Sequence, residues 1–507
     1  MTAYLADTVA VLLARGADDA PAIGAPDRKP LTHRGLRALA GRTREALNAM
    51  GIGRHDRVAM VLPNGPEMAA AFVAVATGAT TAPLNPAYRG EEFDFYLSDL
   101  NAKCLLIQQG MDSPARAVAA ERGIPIVELI PGELAGDFTL SSSLSGTPSH
   151  PGTAGAEDIA LVLHTSGTTS RPKIVPLRHI NITASAYHIG ANLDLAPDDT
   201  CMNIMPLFHI HGLIAAVLSS VAAGGSVICT PGFNAFKFFA HFDAARPSWF
   251  TAVPTMHQAM LGLVARNAEI IGRGRLRFIR SSSASLPPQV MTAVEAAFGV
   301  PVIESYGMTE AAHQMASNPL PPRPHFAGSV GIAAGPDVAI MDDDGNLLPA
   351  GGLGEIVIRG RNVTAGYENN PDANARAFTN GWFRTGDQGT LDDAGYLRLT
   401  GRLKEIINRG GEKISPLEVD EILMDHPAVA QVVTFAMPHG KLGEEVAAAV
   451  VLREGMTLDE HALRDFAGTR LAPFKVPRKI VFLAEIPKGA TGKLQRIGLA
   501  DKLGLSG

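Results

Sequence analysis

IALVLHTSGTTSRPKIVP, residues 159–176, holds the pattern on which the fold reading turns. An apolar run, Ile159 to Leu163, stops at a loop crowded with hydroxyls and closed by Lys173. A strand that ends in a polar, phosphate-friendly loop belongs to open α/β sheets, where ligands bind beyond the carboxyl ends of strands. The loop is not a Walker loop. That motif needs two glycines bracketing four residues and a lysine directly after the second; this stretch has a single Gly167 and no Gly-Lys pair.

Working outward, short apolar runs alternate with helical patterns from about residue 30 to 400. RVAMVLPNG (57–65) reads as a strand into a turn, and PEMAAAFVAVATGA (66–79) as the helix after it. KCLLIQ (103–108), PIVELI (125–130), SVICT (226–230), RFIRSSS (277–283) and PVIESYG (301–307) repeat the strand pattern. Strand, helix, strand at this spacing predicts layered α/β with largely parallel sheets. Between about 340 and 400, Asp-Gly and Gly-Gly turns separate short alternating runs, which predicts hairpins and a small β subdomain. A more charged region follows. The expected division is a large unit over 1–401, built of layered α/β subdomains and the small β subdomain, and a small α+β unit over 402–507.

At 507 residues the chain is too long for one ordinary core, in keeping with that division. Hydrophobic residues make up 46% and charged residues 19%, a globular rather than a disordered composition. The net charge of -6 argues against general nucleic-acid binding, which needs a basic face. Cys104, Cys201 and Cys229 form no metal pair or disulfide framework, so a reducing, cytoplasmic setting is expected. The uncharged run Gly212–Ile228 approaches membrane-span length, but Ser219, Ser220 and the Gly224-Gly225 break predict a buried helix, a turn and a strand instead. No membrane association is expected.

Three further motifs carry chemistry. In ESYGMTE (304–310) a strand meets a Tyr-Gly turn. Its aromatic ring suits a base, and Glu310 offers oxygen to Mg²⁺. In GWFRTGDQG (381–389), Asp387 sits between turns, as a carboxylate that accepts from ribose hydroxyls would. PKGATGKLQR (487–496) presents Lys493 on a glycine loop. Alone, each has a plain reading: a turn, a helix cap, a solvated lysine. Together and in this order they do not.

TSGTTSRPK, YGMTE, WFRTGD, the spacing of 401–420 and PKGATGK make the chain resemble the adenylate-forming superfamily of acyl-CoA synthetases, luciferases and peptide-synthetase adenylation domains, over nearly its whole length. The resemblance implies two steps. A carboxylate attacks the α-phosphate of ATP and expels pyrophosphate; a thiol, that of CoA, then displaces AMP. It implies that Thr165, Ser166, Gly167, Thr168, Thr169 and Lys173 cradle the departing β- and γ-phosphates. Ser305, Tyr306 and Gly307 would border the adenine, with Tyr306 stacking on it. Thr309 would reach the α-phosphate, Glu310 hold Mg²⁺, Asp387 and Arg402 bind the ribose, and Lys493 contact the reacting oxygens. The resemblance also implies that the small unit is mobile and rotates between the two steps; Lys404 matches its hinge, and Gly410 and Gly411 line the pantetheine path, where a bare backbone permits close approach.

The acid is read from the pocket segments. PLFHIHG offers His209 and His211, RSSSASL offers Ser281, Ser282 and Ser283, and AAHQMASNPL offers His313. An enzyme for fatty or aryl acids would place small apolar groups here. A polar lining suits a small diacid, because a second carboxylate in an apolar pocket would cost several kcal/mol without partners. The segments most resemble the oxalate–CoA ligase branch, with His209, Ser283 and His313 as candidates for the distal carboxylate. His209 also matches a gate position. The Ser170-Arg171 pair accords with that branch, whereas Ile174 stands where relatives have glycine and has no functional reading. The alternatives are another acid (medium-chain, aryl or malonate-like), loading of a carrier protein supplied in trans, or luciferase-like oxygenation, which would share every nucleotide motif.

Overall fold

The computed structural model describes residues 6–165, 172–488 and 494–505. Two large sheets form the body. In the seven-stranded sheet the central strands Arg57–Val61, Thr80–Pro83, Cys104–Gln108, Ile126–Pro131 and Ile159–His164 run parallel. An antiparallel strand closes each edge, Phe138–Ser141 at one and Ile174–Arg178 at the other. The nine-stranded sheet has a parallel centre made of Pro21–Ala25, Ser226–Cys229, Thr200–Asn203, Trp249–Ala252, Phe278–Ser281 and Val302–Met308. Hairpin partners close its edges: Arg28–Thr32 at one, and His313–Ser317 with Ile332–Ala333 at the other.

The helix Pro66–Ala76 begins with proline at a position where its missing N–H costs nothing. It is apolar all round, and every residue except Glu67 is buried. A helix with no polar face must lie inside; this one packs against strands of both sheets. Helix His33–Ala49, capped by Thr32, packs on it with one buried face. The run from Gly212 is a buried π-wound helix, His211–Leu218, continuing as Ser219–Ala222 and then strand Ser226–Cys229, as its serines and glycines predict. Among the described residues no helix is long and apolar enough to cross a membrane.

The expected hairpins between 340 and 400 form a separate five-stranded antiparallel sheet, from Asp337–Met341 to Leu397–Arg402. Beyond it lies a mainly antiparallel sheet of Ile407–Arg409, Glu412–Ile414, Val429–His439, Gly443–Leu452 and Lys479–Phe482. Helices Pro416–Met424 and Glu460–Gly468 pack against it. Mixed α/β with a large body and a small α+β unit is therefore the observed class. Ile174, without a functional reading, has a packing one. It opens an edge strand and sits 6% exposed in the core beside Val61, Leu84 and Val162.

Candidate active site

The parallel strands of the nine-stranded sheet deliver their carboxyl ends to one crevice. The chain leaving Asn203 reaches His209 and His211, Thr251 lies near the end of the next strand, Ser283 follows Ser281, and Thr309 and Glu310 follow Met308. The seven-stranded sheet contributes the hydroxyl-rich loop at the end of Ile159–His164. Thr165 and Lys173 close that loop. Thr165 N–H donates to the Lys173 carbonyl at 3.0 Å, and Lys173 N–H to Thr165 Oγ1 at 3.3 Å. Ser166, Gly167, Thr168 and Thr169 lie outside the described residues, as does Lys493.

Lys173 turns its ammonium onto the ring of Tyr367, 4.1 Å from the centroid, a cation–π contact. The Tyr367 hydroxyl donates to Glu310 Oε1 at 2.8 Å. Glu310 is 6% exposed, and burial raises its pKa although Tyr367, Lys173 and Arg402 oppose the shift. Burial lowers the pKa of Lys173, Glu310 opposes that, and nearby Lys404 adds to it. The carboxylate is thus short of positive charge and would be relieved by a cation. Tyr367 gave no signal in the sequence, because it lies 57 residues from Glu310 on a different element.

Asp387 and Arg402 are direct cross-strand partners, and Arg402 Nε meets Asp387 Oδ1 at 3.1 Å. Tyr306 donates its phenolic hydrogen to the other carboxylate oxygen at 2.5 Å. The motif residues Tyr306, Asp387 and Arg402 are therefore brought together, as expected. Ser305 is buried in the sheet and donates to the Ser281 carbonyl at 3.3 Å. Gly307 is required by packing: a Cβ there would lie 1.6 Å from the His313 carbonyl oxygen.

The acid segments converge only in part. His211, Ser283 and His313 meet, whereas His209 borders a small cavity with Thr309, Asn85, Tyr96 and His164. His209 Nδ1 accepts from the His211 N–H at 3.3 Å. His211 is fully buried; its Nδ1 lies 3.0 Å from Ser283 Oγ and its Nε2 2.6 Å from Thr251 Oγ1. The His211 and His313 rings lie edge to face, 5.0 Å apart. Ser283 has φ 75° and His313 φ 95°, a left-handed backbone that non-glycine residues adopt at a cost of ~1–3 kcal/mol and that clusters at functional sites.

Beneath them lies a residue the sequence reading passed over. Arg280 is completely buried and makes no ion pair among the described residues. Its guanidinium forks. One nitrogen reaches His211 Nε2 and Thr251 Oγ1, both at 3.4 Å; the other reaches His313 Nδ1 at 3.4 Å and Gln314 Oε1 at 3.0 Å. Burial lowers its pKa to about 9.

A second cavity of about 420 Å³ opens on the other side of the PLFHIHG segment. Leu62, Met68, Phe208, Phe233 and Met256 line it, and Lys488 stands among them. Lys404 and the pair Gly410 and Gly411 are exposed. These glycines form the two-residue turn between Arg409 and Glu412, with φ 60° and 96°, as a tight hairpin turn demands. Arg496, three residues after Lys493, is clasped by Asp420 at 2.6 Å, the Thr434 carbonyl at 2.8 Å and Glu405 at 3.4 Å.

Parallel sheets that meet at one crevice, with a phosphate-type loop, a Tyr–Asp–Arg trio and a buried carboxylate, define a nucleotide-handling α/β protein with a small appended unit. The chain matches the AMP-binding enzyme model over residues 13–368 and the AMP-binding enzyme C-terminal domain model over 418–493. It belongs to the AMP-binding enzyme family, the adenylate-forming superfamily that its motifs resemble. A probable CoA ligase of Humulus lupulus is 46% identical over 93% of this chain and 91% of its own. An oxalate–CoA ligase of Arabidopsis thaliana is 44% identical over 97% of both chains. The ATP-bound crystal structure of MatB from Rhodopseudomonas palustris superposes with a TM-score of 0.88 at 30% identity, covering 98% of both chains.

Proposed function

We propose that the protein is an AMP-forming oxalate–CoA ligase, converting oxalate, ATP and CoA to oxalyl-CoA, AMP and pyrophosphate. The observation that carries the choice of acid is the polar cluster of buried His211 and His313 with half-buried Ser283, over a cation that has no paired carboxylate among the described residues. A second carboxylate needs such partners, and an aliphatic or aryl group would leave them unsatisfied.

In the first step one oxalate carboxylate attacks the α-phosphate, which Thr309 contacts. Tyr306 carries the adenine, Asp387 and Arg402 take the ribose, and Lys173 offsets charge gathering on the leaving pyrophosphate. Mg²⁺ fits Glu310, a buried carboxylate with raised pKa. One carboxylate with phosphate oxygens and water is an ordinary magnesium donor set, and the ion would neutralise phosphate charge there. His209, Ser283 and His313 are the proposed contacts to the distal carboxylate. Lys493 completes the charge around the reacting oxygens.

For the second step the small unit, divided from the body at residues 401 and 402, turns about Lys404 and brings Gly410 and Gly411 to the pantetheine arm. The apolar cavity beyond Phe208 has the character such an arm requires. The free, buried cysteines accord with a reducing, cytoplasmic setting.

The test is an acid panel. Purified enzyme with ATP, Mg²⁺ and CoA should release AMP faster with oxalate than with malonate, medium-chain or aryl acids. Faster release with any of those acids would refute the choice of oxalate.

A further inference from the structure

Arg280 is an arginine in the wrong place for a structural role alone. A fully buried guanidinium ordinarily sits beside a carboxylate, since an unpaired buried charge is costly. Among the described residues none pairs with it, and its Nε has no hydrogen-bond partner. The groups facing it come from every neighbouring element. They are His211 from the π-wound helix, Thr251 from the adjacent strand, the Cys201 thiol from the strand beyond it, and His313 and Gln314 from the closing hairpin.

A guanidinium only donates hydrogen bonds. His211 Nε2 and His313 Nδ1, which face its two nitrogens, must therefore be acceptors. That fixes both tautomers. His211 carries its proton on Nδ1 and donates it to Ser283 Oγ, which leaves the Ser283 hydroxyl hydrogen to point elsewhere. His313 carries its proton on Nε2. A charged ring at either site would set N–H against N–H and cation against cation.

We propose that Arg280 is the positioning and specificity residue for the second carboxylate. It holds His211 and His313 neutral, in the tautomers that leave the Ser283 hydroxyl hydrogen and the Nε2 side of His313 toward the acid, and it supplies from beneath the positive charge that selects a dianion over a monoanion. This rests on the reading of the pocket as an acid site with a second carboxylate.

The experiment compares oxalate with oxamate, in which one carboxylate is an amide, for the wild-type enzyme and Arg280→Gln between pH 6 and 8. The wild type should prefer oxalate, with an oxalate KM that changes little over this range. Arg280→Gln should lower the oxalate-to-oxamate ratio of kcat/KM by about 10- to 100-fold, the worth of a charge-assisted interaction, with the ATP KM nearly unchanged. Its oxalate KM should improve toward pH 6, because rings released from the guanidinium can protonate and replace the lost cation. A structural role alone would change neither the ratio nor its pH dependence. A wild-type enzyme inactive on oxalate overturns the functional reading. A wild type active on oxalate, with a folded variant that keeps the ratio and a flat pH profile, overturns the role of Arg280 alone. Should the variant not fold, ring ¹⁵N shifts of histidine-labelled wild type decide. Neutral rings protonated at His211 Nδ1 and His313 Nε2 support the assignment; the opposite tautomers or charged rings at pH 7 overturn it.

Discussion

The hydroxyl of Tyr367 donates to Glu310 at 2.8 Å while the same ring lies 4.1 Å beneath the ammonium of Lys173. One side chain thus stands between Lys173, proposed for the leaving phosphates, and Glu310, proposed for the metal, and keeps the two from collapsing into an ion pair. Tyr367→Phe preserves the ring under Lys173 and removes only the donor. It is expected to lower kcat/KM for ATP by about 10-fold, within the range for a hydrogen bond to a charged group. The Tyr367 bond also holds the pKa of Glu310 down against burial. Its loss should move the acid limb of the pH–rate profile to higher pH, since a protonated Glu310 cannot hold a cation. Pyrophosphate release measured against pH and Mg²⁺ concentration checks both effects; an unshifted limb would remove Tyr367 from the site.

His313→Ala should raise the KM for oxalate by at least about 10-fold and leave the KM for ATP within about 2-fold. Equal effects on the two constants would mean that the ring supports the fold of the hairpin rather than the acid.

Glu304 offers a stability test independent of turnover. It is 3% exposed, one oxygen accepts from the Leu286 N–H at 2.8 Å, and the other has no partner. Burial raises its pKa from 4.5 to about 8. A carboxyl with a raised folded-state pKa favours the fold while protonated, and that contribution is lost as pH climbs from about 4.5 through about 8. Glu304→Gln keeps the bonded oxygen and cannot ionise. It should stabilise the protein by on the order of 2–4 kcal/mol at pH 9 relative to wild type, and by little at pH 5. Thermal or urea unfolding at the two pH values decides; a gain equal at both would show that Glu304 does not titrate as assigned.

Asp420 clasps Arg496, three residues beyond Lys493 in the chain. Asp420→Ala leaves a mostly buried guanidinium with, among the described residues, only Glu405 at 3.4 Å for charge. The expected loss is about 3 kcal/mol, seen as a lower Tm. It should come with a fall in kcat larger than any rise in the KM values, if Lys493 acts on the reacting oxygens as proposed. An unchanged Tm and kcat would show the clasp to be dispensable.

The grouping of Tyr306, Asp387 and Arg402 was legible because these residues sit in contiguous motifs whose local geometry places them. TGD and GR become cross-strand neighbours through a simple hairpin register. The body was legible for the same reason. Runs such as RVAMV and KCLLI are buried on both faces and read as parallel strands wherever they occur. Arg280 and Tyr367 were not legible. RFIRSSS reveals a strand but not which of its faces turns inward, and an arginine there looks like a solvent-facing residue. Its partners lie 29 to 69 residues away on three other elements, set by sheet order. The acid segments named the histidines but not their grouping. His211, which was not a candidate for the distal carboxylate, is the ring bonded to Ser283.

The left-handed backbone at Ser283 and His313 limits how this pocket can be retooled. At such dihedral angles glycine, asparagine and aspartate replace the native side chain with least strain, so a library that randomises both positions loses stability in many of its members. Thr251 and Gln314 stand on ordinary strands beneath the rim, where no left-handed backbone restricts the choice, but both are fully buried and hydrogen-bonded to His211 or Arg280, so only polar side chains of similar size suit them. Protein engineers seeking a different acid would do better to make a few size-matched polar exchanges in that lower layer and leave the rim as it is.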